Sequence, residues 1–419
     1  RGLGDVYKRQ DYGSRSVGII ASTHDDFYFG TYDDAGNMLT NPAAFMETDG
    51  AKKFLNFNED GFAGIAEGGK YYTRDFDGKT AYRVIYRPNM IHPLVAFSTT
   101  CVGYAVDFFD TTLGTPKPLP ASDQIWPIKA VFNSLGVIGL LIFMVSFTLV
   151  LLDTPVFSAL RSGEIVQPAP VQDSGAKAWY WVLLIIGAVF SGASFLFCMN
   201  TVYSKTTNFF VQTGPLTIGT WAALCGVFAI FCSAVFYGAY GKKHGWSARR
   251  AGLYLNLEQL WKTIALAVIV IVVSFGLVFA AHYFFQVDYR MYVVAFKTFG
   301  ADKVLIALRY LPFFLLFYVM NSISANCFNY NTIGGKNGNI LIFAFFNALG
   351  AIFVVASQYI YFYATGYQLY GLTEGQRIGP IWLFPCMVLL FVTPIMSRII
   401  YKRTRNPYIA GLILSLIHI

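Results

Sequence analysis

Between residues 128 and 401 the chain alternates long apolar runs with short polar joints, and this pattern limits its possible folds more than any other feature. Seven runs stand out, at about 128–152, 178–200, 214–238, 260–285, 304–326, 339–364 and 380–401. Each is near or above the ~20 residues that a helix needs to cross the hydrocarbon of a bilayer. In lipid a backbone must satisfy its own N–H and C=O groups, so runs of this length predict helices rather than open strands. Only 13% of the 419 residues are charged, against roughly 25% in ordinary soluble domains. The expectation is an all-α, multi-pass membrane domain of about seven spans over residues 128–413, with the lipid bilayer as its partner. The string YIAGLIL (408–414) could open an eighth.

The formal charge of +8 does not point to nucleic acid. The basic clusters GKKHGWSARR (241–250) and SRIIYKRTR (397–405) adjoin apolar runs, where Lys and Arg fix orientation in the bilayer. Lys242, Lys243, Arg249 and Arg250 mark the joint after the third span as cytoplasmic. Arg398, Lys402, Arg403 and Arg405 mark the segment after the seventh in the same way, and the two assignments agree across four crossings. Counting back places everything before the first span outside the cytoplasm.

Residues 1–125 hold most of the acidic side chains and have the composition of a water-soluble region. SVGIIAS (16–22) has the length and branching of a buried parallel strand. NPAAFMETDGAKKFLNF (41–57) carries helical periodicity with Pro42 near its start. KYYTRDF and KTAYRVIY flank Asp77-Gly78, a strong hairpin signal. LVAFSTTCVGYAVDFFDTTL (94–113) predicts a helix whose packed face holds Val95, Ala96, Thr99, Val102, Gly103, Val106 and Phe109. The Pro-rich stretch beginning TPKPLPASDQ (115–124) predicts a semi-rigid linker over 115–127. Two terminal strings, RGLGDVYKRQ (1–10) and LSLIHI (414–419), have the character of a vector or adapter junction and are expected to contribute nothing to the fold.

Two strand-like runs each end in titratable residues. SVGIIASTHDD delivers Asp25 and Asp26, and YRVIYRPNMIH delivers His92. In doubly wound sheets the working groups collect at the carboxyl ends of the strands. An acid on one such end and a histidine on a later one are two parts of a nucleophile–base–orienter triad. Asp25 is favoured over Asp26 by its register with the strand end, Asp26 being suited to capping the next turn, and His24 is expected to be solvated. A histidine before a helix is also a common packing or capping residue. The six cysteines lack metal-ligand spacing, and no metal or cofactor motif is present.

On these residues the region resembles the α/β-hydrolases. GIIASTHDDF is similar to the strand and loop that carry the acid in that family, with Asp25 matched and Ser22 where a Gly is common. RVIYRPNMIHPLVAFS is similar to the last strand, the histidine loop and the closing helix, with His92 matched. The wider layout resembles dienelactone-hydrolase-like proteins attached to bacterial membranes. The resemblance covers residues ~11–113 and implies a fold class of partial α/β-hydrolase sheet (11–114) followed by the helical membrane domain. It implies a bacterial cell membrane, an extracytoplasmic catalytic domain and a small ester-like substrate. Two departures stand out. Residues 30–80 form an insertion, expected either to shape a pocket over the site or to be a surface excursion. G-x-S-x-G, the nucleophile elbow of the family, is missing, since FSGASF (190–195) lies inside an apolar run. The expectation is therefore a fragment of a longer serine hydrolase, inactive by itself, whose nucleophile lies upstream. The competing expectation is a transport or assembly protein whose outer domain binds a ligand without catalysis.

Inside the spans, His282 and Arg309 lie close enough to the ends to snorkel. Gly187, Gly192, Gly214, Gly219 and Gly226 are expected to permit close helix packing. The aromatic residues of 359–370 suit an interfacial belt.

Overall fold

A computed structural model describes residues 12–33, 38–171, 173–292, 294–371 and 373–417. The junction-like string at 1–10 and residues 418–419 lie outside them. The chain divides into two compact units, one running to Lys129 and including Ala356–Ile381, the other holding Ala130–Val355 and Trp382 onward.

The first unit is built on a three-stranded sheet. β1 (Val17–Ile20) pairs in parallel with β5 (Lys79–Tyr86), and β4 (Tyr72–Phe76) pairs with β5 from the other side, antiparallel. Asp77 and Gly78 join β4 to β5 with φ values of 47° and 81°, the two successive positive angles of a type I′ hairpin turn. A short ladder, β2 (Thr31–Tyr32) with β3 (Met38–Thr40), lies within the excursion between β1 and β4.

Period-2 alternation along β5 gives the sheet two covered faces. Ile85 packs with Phe45, Ala51, Phe54 and Leu55. Arg83 points the same way, its guanidinium 4.6 Å from the ring of Phe57. Those partners come from a 3₁₀ turn (Pro42–Glu47), from α1 (Asp49–Leu55) and, for Phe57, from the turn after α1, which together occupy the predicted helical segment. Thr48 separates them because its hydroxyl caps Ala51 N–H. Residues 42–57 are therefore one layer of the core, not a surface excursion.

On the other face Tyr86 stacks on Tyr104 with centroids 4.5 Å apart, and Gly18 lets Phe108 approach. These residues belong to α3 (Thr99–Leu113), capped by Ser98 and separate from the four-residue α2 (His92–Val95). The break rotates the packed face away from the expected one. Of the expected face Gly103 is buried, but Val106 and Phe109 are exposed, and Cys101, outside that face, is buried.

The chain continues through helices α4 (Trp126–Leu152), α5 (Ser174–Thr201), α6 (Thr213–Phe236), α7 (Leu257–Phe285), α8 (Ala301–Ile323), α9 (Gly335–Thr365), α10 (Glu374–Thr404) and α11 (Pro407–Ile417). Among the described residues seven helices are long and apolar enough to cross a membrane, at the seven expected places. The protein is a multi-pass membrane protein with a small α/β region ahead of its spans. Two spans end in π-helical turns, Tyr237–Gly241 after α6 and Ser324–Phe328 after α8. α11, which takes in residues 414–417, packs against α7 and α8.

Close helix approach occurs at three of the five expected glycines. A Cβ on Gly192 would lie 3.2 Å from Gly350 O, one on Gly219 3.2 Å from Phe313, and one on Gly226 2.8 Å from Leu316 O. Gly187 has nothing within 4 Å. Arg309 donates to Phe209 O at 3.0 Å. Arg398 differs from its expected place among the loop charges, being only 2% exposed.

Candidate active site

The parallel register between β1 and β5 sets the site. Val17 pairs with Arg83 and Ile20 with Tyr86, a constant offset of 66 residues. Pairing continues past the strands, from Ala21 N–H to Tyr86 O and from Thr23 N–H to Pro88 O. An isolated parallel bridge then joins His24 to Ile91, an offset of 67. The next pair in that register is Asp25 and His92. Arg87 holds the two strand ends together, donating to Ala21 O at 2.9 Å and to Pro42 O and Ala43 O. Burial pushes its guanidinium down to about 10.

His92 Nδ1 lies 2.9 Å from Asp25 Oδ2. A carboxylate only accepts, so Nδ1 carries the proton and the neutral ring keeps a free lone pair on Nε2. The other oxygen of Asp25 accepts from Phe27 N–H at 2.9 Å and Tyr28 N–H at 2.7 Å. Asp25 thus caps its own turn and holds the imidazole, where the sequence assigned turn capping to Asp26. Its side chain is 2% exposed and that of His92 35% exposed, so the acid is buried and the ring reaches the surface. Tyr28 packs against the ring with centroids 4.9 Å apart. Pro93 follows at the start of α2, where its fixed φ suits a helix N-terminus.

Asp26 holds the backbone under the histidine. Its Oδ1 accepts His92 N–H at 3.1 Å, and its Oδ2 accepts the hydroxyl of Tyr359 at 2.7 Å. Gln368 donates its side-chain amide to Asp26 O. Burial is the main reason that Asp26's carboxyl is pushed up to about 6. The Tyr359 hydrogen bond opposes the rise, and the charge of Asp25 adds to it. For His92, burial favours the neutral ring, but the hydrogen bond and charge of Asp25, joined by Asp26, outweigh it and hold the pKa above its ordinary value.

Tyr359 and Gln368 belong to the end of α9 and the joint after it. Sequence reasoning missed both, because the aromatic density of 359–370 was assigned wholly to a membrane-surface belt. The run in fact divides. Tyr359 and Phe362 are buried, while Ile360 and Tyr361 are exposed. His24 is likewise not simply solvated, as it stacks on Tyr363 with centroids 4.4 Å apart and meets Phe362 edge-on.

Nε2 of His92 makes no hydrogen bond among the described residues. Nor do three or more His, Cys, Asp or Glu side chains gather as metal ligands among those residues. Comparison with protein-family models, curated proteins and solved structures gave no match.

Proposed function

We propose that the chain is part of a membrane-attached serine hydrolase of the α/β-hydrolase type, with Asp25 and His92 as its acid and base. The observation that carries this reading is the 2.9 Å contact between Asp25 Oδ2 and His92 Nδ1 at the carboxyl ends of two adjacent parallel strands. In this reading Asp25 fixes the tautomer and steadies the imidazolium that forms. Nε2 takes a proton from a serine hydroxyl as the serine attacks an ester-like carbonyl, then returns that proton to the leaving group. The reading requires a nucleophile opposite Nε2; the sequence holds no G-x-S-x-G motif, and the reading expects such an elbow within ~150 residues upstream of Asp25 in the gene. The basic joints favour an extracytoplasmic position for this domain.

The full-length gene product decides the matter. Labelling by a fluorophosphonate probe and hydrolysis of a short-chain aryl ester should both be present. His92→Ala, folded as judged by its unfolding midpoint, should lower hydrolysis by about 10³-fold or more. Activity unchanged in that variant, or a gene lacking an upstream serine or cysteine elbow, removes the catalytic role. A second reading, a transport or assembly protein whose α/β region binds a ligand without catalysis, is favoured by the extent of the seven helices, far more than an anchor needs.

A further inference from the structure

Five helices of the second unit, α5, α6, α8, α9 and α10, line a partly open cavity of about 230 Å³. Much of its wall is apolar, including Leu184, Ala222, Phe314, Phe343 and Leu390. One part is different. Asn331 lines the cavity and is only 6% exposed. Its Oδ1 accepts from Ile333 N–H at 2.9 Å and from Asn339 Nδ2 at 3.1 Å. Its own Nδ2 makes no hydrogen bond among the described residues, which leaves an amide donor open at the wall.

Behind that donor lies a buried cation. Arg398 donates from Nη1 to Asn339 Oδ1 at 3.0 Å, from Nε to Asn326 Oδ1 at 2.8 Å, and from Nη2 to Ala325 O. Its guanidinium lies 3.9 Å from the ring centroid of Tyr330, another wall residue. Every one of these acceptors is neutral, and no carboxylate pairs with Arg398 among the described residues. A positive charge balanced only by dipoles, in a medium of low dielectric, projects its field into the adjoining space. Ionisable groups kept within membrane helices at such cost mark ligand sites more often than packing. The π-helical turn Ser324–Phe328 supplies the wall residues Ser324, Cys327 and Phe328, and π-turns inside helices are frequent at functional sites.

We propose that this cavity binds a single-chain anionic amphiphile, its anionic head at Asn331 on the Arg398 side and its tail along Leu184, Phe314 and Leu390. The volume falls below the ~300–1,000 Å³ of drug-sized pockets, which suits one apolar chain rather than the two of a bilayer phospholipid. An unpaired amide donor with a cation behind it selects an anion over a neutral head. The site is independent of the hydrolase reading.

The test uses the whole chain in uncharged detergent and two photoreactive probes of equal length, a diazirine-bearing C16 fatty acid and the matching alcohol. The acid should label peptides of α5, α6 and α8 saturably, with an affinity about tenfold or more above that of the alcohol. Asn331→Leu should shrink that difference to about threefold or less. Ala222→Phe, which fills the cavity, should abolish labelling by both. Excess acetate or inorganic phosphate should not compete, since the tail contributes the apolar burial. Equal affinity for acid and alcohol overturns the proposal, and so does labelling that survives Ala222→Phe at an unchanged unfolding midpoint. Competition by acetate or phosphate alone overturns it in favour of a small-anion site. If Asn331→Leu does not fold, the acid–alcohol comparison and Ala222→Phe still decide.

Discussion

Tyr359 donates its phenolic hydrogen to Asp26 Oδ2 at 2.7 Å, across 333 residues of sequence. The other oxygen of the same carboxyl holds the backbone N–H of His92. One buried group therefore ties the end of an apolar helix to the loop that presents the imidazole. Tyr359→Phe should lower the free energy of unfolding by about 1–3 kcal/mol, the usual cost of a buried polar group left without its partner. The loss should be larger at pH 8 than at pH 5, because the hydroxyl serves the ionised carboxylate. Thermal unfolding in detergent micelles at the two pH values checks both statements, and equal losses would contradict the second.

Asp26 should also give the fold a pH dependence opposite to that of most acids. Its carboxyl titrates near 6 in the folded chain, against 3.8 ordinarily. Between these values the folded state binds more protons than the unfolded one, so stability falls as pH rises. The contribution is fully present below about pH 4 and lost above about pH 6, with a size on the order of 2–3 kcal/mol. Asp26→Asn keeps the acceptor for His92 N–H and mimics the neutral form. The variant should flatten the unfolding midpoint across this window, and an unchanged slope would assign it to another group.

His92 titrates above its ordinary value because Asp25 outweighs burial. Asp25→Asn removes the charge but leaves the ring in place, so the midpoint for modification of His92 by diethyl pyrocarbonate should move to lower pH. The direction of linkage follows from the raised folded value. Stability from this pair is present below the ordinary histidine pKa and is lost as pH climbs through the folded one. In Asp25→Asn that loss should disappear. A modification midpoint that does not move would show that Asp25 does not control the ring.

Two glycines in spans should respond differently to alanine. A Cβ on Gly226 would lie 2.8 Å from Leu316 O, against backbone that cannot swing aside. Gly226→Ala should cost about 1–3 kcal/mol, the range of an overpacked contact. Gly139 has nothing within 4 Å, so Gly139→Ala should be neutral or gain up to about 1 kcal/mol in helix propensity. Unfolding midpoints of the two variants, measured side by side, check the contrast.

The seven spans were legible because their signal is length and composition, which packing detail does not alter. The β4–β5 hairpin was legible because Asp77-Gly78 suits one turn type. Asp25 and His92 could be placed at a common rim because a parallel pair brings both carboxyl ends to one edge. Other features depend on partners far away in sequence. Nothing near residue 359 signals that Tyr359 will meet Asp26, and its neighbours Ile360 and Tyr361 are indeed exposed. Arg398 stands in a basic string that usually lies at an interface, and only the fold shows that Asn326 and Asn339 turn it inward. The periodicity over 94–113 implies one continuous phase, whereas the cap at Ser98 resets it.

The hydrogen bond between Tyr359 and Asp26 also fixes an order of events on the ribosome. Chains grow at about 5–20 residues per second, so some 17–70 seconds separate the emergence of Asp26 from that of its hydroxyl donor. Through that interval the strands can pair and His92 can find Asp25, but the carboxyl beneath them stays without this donor. The dyad's floor is finished only after the sixth span has left the exit tunnel, which makes completion of the site a late step in biogenesis.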